Sequence, residues 1–72
     1  MRQRNATKFV HVGKYVAEVD VVLLDEDHEW APYLAIDEVR KLETVRAALL
    51  RGDLKAAASL ARVYEMKPIA AE

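Results

Sequence analysis

Side chains able to do chemistry are few in this sequence, and they are scattered. Histidine occurs twice, as His11 and His28, serine once, as Ser59, and cysteine not at all. A hydrolytic triad needs a nucleophile, a base and an orienting acid within hydrogen-bond reach. Ser59 instead follows a run of alanines in a helical stretch, and His11 falls on a strand. Gly13 and Gly52 belong to no glycine-rich phosphate loop. The expectation is a protein that is not an enzyme, with no catalytic residue and no cofactor. One stretch has the donors for a cation. Asp25-Glu26-Asp27-His28-Glu29 offers hard oxygens suited to Ca2+ or Mg2+ and an imidazole suited to zinc. It has no glycine for the sharp turn of an EF-hand and no second histidine at a zincin spacing. It reads as a solvated acidic loop, with a metal-binding or enzymatic role as the remote alternative.

Charge is nearly balanced, at a formal net of −1, but it is sorted along the chain. Arg2, Arg4, Lys8 and Lys14 make the start basic. Glu18, Asp20, Asp25, Glu26, Asp27 and Glu29 make the next segment acidic. A basic start suits a nucleic acid or an acidic partner. Mutual attraction between the two strands of one hairpin explains the same pattern more simply. Arg2 and Arg4 are the residues a DNA-binding regulator would use, through a basic β-hairpin. That is the alternative reading, since the domain as a whole is not basic.

The elements that must position these groups follow from hydrophobic period, which changes near Trp30. Before it apolar residues alternate; after it they recur every three or four positions. Residues 7–12 and 15–24 are rich in Val, Phe, Tyr and Leu and read as two strands. Gly13-Lys14 between them suits a type II′ turn, which pairs Val12 with Tyr15, Val10 with Ala17 and Lys8 with Val19. One face then carries Val10, Val12, Tyr15, Ala17, Val19, Val21 and Leu23 and should meet the core. The second strand outruns the first, and residues 1–6 are left as a basic arm. Residues 25–35 form an acidic and aromatic loop, with Trp30 and Tyr33 packing over the hairpin's apolar face. Asp37 is the expected N-cap. Val39, Leu42, Val45 and Leu49 make a helical stripe, and the point at which it would break, were it interrupted, is near Leu42-Glu43. Gly52 ends that helix and Asp53 caps a second, which reaches Glu65 or Met66. Residues 37–66 are thus a helical hairpin, and 67–72 a tail.

Several segments carry a resemblance. Lys14-Tyr15-Val16-Ala17-Glu18-Val19-Asp20-Val21, Trp30-Ala31-Pro32-Tyr33-Leu34, Arg51-Gly52-Asp53-Leu54 and Leu60-Ala61-Arg62-Val63-Tyr64 together resemble a family of small uncharacterised bacterial proteins. Tyr15-Val16-Ala17-Glu18-Val19 is similar to the first strands of HicB-like antitoxins, whose later glycine-containing strands have no counterpart here. The stretch from Leu49 to Tyr64 resembles the punctuation of one tetratricopeptide helical hairpin, with no repeat following it. The family implies no activity to carry over; the antitoxin likeness implies a protein that masks a partner.

The sequence therefore predicts one small α+β domain, a β-hairpin followed by a helical hairpin in ββαα order. Its sheet would be completed by dimerisation. The expected role is a non-enzymatic protein-interaction module, antitoxin-like, acting as a homodimer on a basic protein partner. The residues expected at that contact are Val22, Leu24, Asp25, Glu26, Asp27, Trp30 and Tyr33. No apolar run approaches the roughly 20 residues needed to span a bilayer, and no signal peptide is evident at the start. The expected compartment is the cytoplasm.

Overall fold

A computed structural model describes residues 2–25 and 32–70. The chain is α+β, a β-hairpin and its sheet followed by helices. β1 (Arg2–Val12) and β2 (Tyr15–Asp25) form the hairpin. Its register runs unbroken from Arg2↔Asp25 to Val12↔Tyr15, as the two-residue turn requires. Gly13 has φ 58° and no other hairpin residue has positive φ. That combination is type II′, since type I′ would need positive φ at Lys14 as well. β1 is five residues longer than the alternation of apolar side chains indicates. Its polar first half pairs as well as its apolar second half, so residues 2–6 are strand and not a free arm.

β2 is the central strand. β3 (Tyr33–Leu34) pairs with one end of it, Leu24↔Tyr33 and Leu23↔Leu34. β4 (Arg62–Glu65) pairs with the other end, from Tyr15↔Glu65 to Glu18↔Arg62. β4 corrects the helical reading of residues 59–66. The second helix, α2 (Leu54–Ala58), stops after five residues. The Ser59 hydroxyl donates to the Ala56 carbonyl at 2.6 Å and Leu60 N–H to the Ala57 carbonyl at 3.1 Å, and the chain then turns back to the sheet. A ladder to β2, with Val63 packed against the core, outweighs the helix propensity of this stretch.

The first helix, α1 (Ile36–Leu50), is continuous through Leu42 and Glu43. It starts one residue before Asp37, and Ala35 occupies the N-cap with no side-chain cap. The pairing of Leu34 with β2 fixes where the chain leaves the sheet, and only Ala35 lies between strand and helix. Asp37 and Glu38 instead sit in the first turn, where the helix dipole favours them. The C-terminus is a Schellman motif. Gly52 has φ 76°, Asp53 N–H donates to the Ala48 carbonyl at 2.8 Å, and Gly52 N–H to that of Leu49 at 3.1 Å. Asp53 then caps α2, its side chain accepting from Ala56 N–H at 3.0 Å.

The core lies between one face of the sheet and the helices. Val10, Ala17, Val19 and Val21 meet Val45, Ala48, Leu49 and Ala57, with Val12, Tyr15, Leu34 and Leu42 partly buried around them. Seven of the eight buried side chains are valine or alanine, so the layers approach closely. The Cα atoms spread over 50 × 31 × 14 Å, room for one sheet and one helical layer. Val19 and Val45 are fully buried. Val19→Ala removes two buried methyl groups and leaves a void, a cost of about 2–3 kcal/mol. A domain of this size holds about 4–10 kcal/mol. Thermal or urea unfolding should show the variant folded but markedly less stable. A change below about 0.5 kcal/mol would contradict this core.

Candidate interaction surface

The period of two that sends Ala17, Val19 and Val21 inward sends Val16, Glu18, Asp20, Val22 and Leu24 outward. β1 adds Phe9 and His11 to this outer face, β4 adds Arg62 and Tyr64, and β3 adds Tyr33. Among the described residues no helix packs on it. Phe9 is 66% exposed, Tyr64 50% and Tyr33 39%. Phe9 lies opposite Glu18, His11 opposite Val16, and Val16 opposite Tyr64. Apolar and aromatic side chains therefore occupy both ends of the face. The hairpin end carries Phe9, Val16 and Tyr64; the far end carries Val22, Leu24 and Tyr33.

An ion-pair cluster lies between them. Arg62 donates from Nε to Glu18 at 2.9 Å and through its two terminal nitrogens to both oxygens of Asp20, at 3.0 and 2.8 Å. The Tyr64 hydroxyl donates to Glu18 at 3.0 Å. The Arg62 hydrogen bond, with that of Tyr64 behind it, holds the Glu18 carboxyl below its ordinary value. The bidentate contact with Arg62 does the same for Asp20. Two carboxylates against one guanidinium leave the centre of the face slightly acidic. This cluster escaped sequence reasoning because Arg62 and Tyr64 were placed on a helix. The alternation Arg62-Val63-Tyr64-Glu65 was the available signal.

Beside the cluster, β2 has a bare stretch of edge between β3 and β4. Two side chains of α1 fill it. Glu38 Oε1 accepts from Val22 N–H at 2.7 Å, and Lys41 Nζ donates to the Asp20 carbonyl at 2.6 Å. They satisfy backbone groups that a strand would otherwise pair. An open cleft of about 540 Å³ lies here, lined by Asn5, Thr7, Asp20, Val22, Glu38 and Lys41 among others. Its Glu38 and Lys41 side chains are engaged with backbone and its Thr7 hydroxyl lies 3.5 Å from Asp20, and neither histidine lies in its lining.

Of the residues expected at a contact, Val22, Leu24 and Tyr33 come together on the outer face. Tyr33 is thus on the side opposite the core, because it pairs with Leu24 and not Leu23. Asp25 ends β2 on the core-side face, bound to Arg4 at 2.6 Å. Glu26, Asp27 and Trp30 lie outside the described residues, as does most of the acidic stretch considered for a metal. Among the described residues no cluster of three or more His, Asp or Glu could hold an ion. Arg2 and Arg4 lie at the start of β1, Arg4 already neutralised by Asp25. Among the described residues no helix is long and apolar enough to cross a membrane.

Fold and surface define a class of protein: a small α+β domain whose antiparallel sheet has helices on one face and, on the other, a partly aromatic face on which no helix packs among the described residues. No protein-family model matches the chain, and neither does any curated protein or solved structure.

Two outcomes follow from this geometry. Glu18 and Asp20 titrate below their ordinary values in the folded chain, so their contribution to stability is complete above the ordinary carboxylate range. It is lost as the pH falls through the depressed values. Arg62→Gln should return both carboxyls toward ordinary values in an NMR titration and flatten the acid limb of stability; unmoved titrations would refute the cluster. Glu38→Ala should speed hydrogen exchange at Val22 N–H by about tenfold or more while the Val21 amide, paired to β1, is affected far less. Equal exchange in variant and parent would mean that Glu38 does not guard the edge.

Proposed function

We propose that this chain is a non-enzymatic protein-interaction module that holds a partner on the uncovered face of its sheet, in the partner-masking manner of an antitoxin. The observation that carries the reading is the makeup of that face. Exposed aromatic side chains stand at both ends beside half-buried branched ones, and a slightly acidic ion-pair cluster stands between them. Large exposed aromatics are the residue types that dominate binding energy in protein interfaces. A central charge cluster adds little stability where water reaches it. It sets orientation and selects a complementary, cationic partner surface. Single-stranded nucleic acid also stacks on aromatic sheets, but it needs a basic surround that this face lacks.

A photo-crosslinking residue at position 64 tests the proposal in cells, with the same residue at the exposed Leu50 of α1 as control. A distinct protein should be trapped from position 64 and not from position 50. Its purified form should bind the Tyr64→Ala variant at least about tenfold more weakly than the parent. Trapping of no protein other than the chain itself, or equal affinity for both forms, would end this reading.

A further inference from the structure

The two edges of the sheet are treated differently. On the β2 side, β4 and β3 pair with the two ends of the strand, Glu38 and Lys41 each cap one backbone group between them, and the outer edges left by β4 and β3 are only four and two residues long. Along β1, among the described residues, nothing pairs with the outer edge over 11 residues. A two-residue hairpin fixes which backbone groups point outward: those of Gln3, Asn5, Thr7, Phe9 and His11. All five residues are exposed. The usual protections of an edge are proline, a bulge, a short strand or charged side chains. β1 contains no proline and its register is continuous, so its protection is the charge of Arg2, Arg4 and Lys8, which disfavours some registers of pairing and not others.

We propose that this edge pairs antiparallel with the same edge of a second copy, with the two-fold axis at Thr7, giving one continuous sheet of eight strands. The register follows from charge. Arg2, Arg4 and Lys8 all lie on the core-side face of β1. An axis at Ala6 sets Arg4 against Lys8 of the second copy, an axis at Asn5 sets Arg2 against Lys8, and an axis at Lys8 sets Lys8 against itself. Like charges directly opposed are destabilising. An axis at Thr7 sets Arg2 against Val12, Arg4 against Val10 and Lys8 against Ala6. It also uses the whole strand, with about ten new backbone hydrogen bonds. Moving the axis to Phe9 avoids like charges but gives up about a third of the ladder. On the outer face the Thr7 register places Phe9 against Asn5 of the second copy, with its Gln3 and Thr7 diagonally adjacent. Phe9, 66% exposed in one chain, gains cross-strand neighbours in two. A closed, two-fold pairing of this kind is the commonest form of assembly.

The chain has no cysteine, so single cysteines report the register directly. Under mild oxidation Thr7→Cys should form a disulfide-linked dimer at least about tenfold faster than Asn5→Cys or Phe9→Cys, because only the axial residue meets itself. Light scattering of the unmodified chain over a dilution series should give the dimer mass at micromolar concentration. Thr7→Pro removes an outward N–H without touching the β1–β2 ladder, and should give a folded monomer. A parent chain that is monomeric throughout would overturn the proposal and leave the edge to a different protein's strand. A dimer whose fastest cross-link comes from position 5 or 9 would overturn the register. A folded Thr7→Pro dimer would move the interface elsewhere. Should Thr7→Pro not fold, the cysteine series decides alone. None of these measurements reads position 64, so the outer-face partner and the edge pairing stand or fall separately.

Discussion

Everything in this fold depends on the register of β2. Its 11 residues are paired to β1 along their whole length, its other edge receives β3, β4 and two side chains, and its inner face carries as many of the buried core residues as α1 does. A slip of one residue would exchange Ala17, Val19 and Val21 with Glu18, Asp20 and Val22, placing carboxylates against Val45 and Leu49. The slip is prevented locally by the Gly13 turn, which closes the hairpin one way, and globally by helices that have apolar side chains for only one of the two faces. Local turn chemistry and core packing specify the same answer, the consistency expected of a sequence with one native state.

Much of this was legible in the residues. Gly13-Lys14 set the hairpin register, and the alternation from Val10 to Leu23 set the inner face. Gly52-Asp53 marked the junction between the helices. What was not legible had tertiary causes. Residues 2–6 are polar because they lie at an exposed sheet edge, and polar sequence reads as an arm when its partner strand is not known. Residues 59–66 read as a continuation of the alanine-rich helix before them, yet the ladder with β2 and the Arg62 contacts to Glu18 and Asp20 are long-range, and no local window contains them. Asp37 is a good capping residue in the wrong place, because the start of α1 is set by the end of β3. Three residues singled out for a contact, Val22, Leu24 and Tyr33, do share a face. Their grouping with Tyr64 needed the position of β4.

The outer face owes its character to the thinness of the inner layer. A core built from valine and alanine lets α1 and α2 lie close, so a modest sheet is stable with one side open. Side chains that would otherwise be needed for packing are then available outward. The ion-pair cluster lies on that outer side. It ties β4 to β2 across the face, and does so with groups that remain hydrated.

The side chains of Glu38 and Lys41, which close the gap on the edge of β2, bear on growth as well as on folding. In the language of polymerisation, a sheet with two open edges is bifunctional and adds units without limit. Blocking one edge makes each unit monofunctional. A monofunctional unit terminates after a single addition, so raising its concentration increases occupancy and never length. On the β2 side, two small charged groups on one helical turn and two short strands leave little continuous ladder for a further unit to extend.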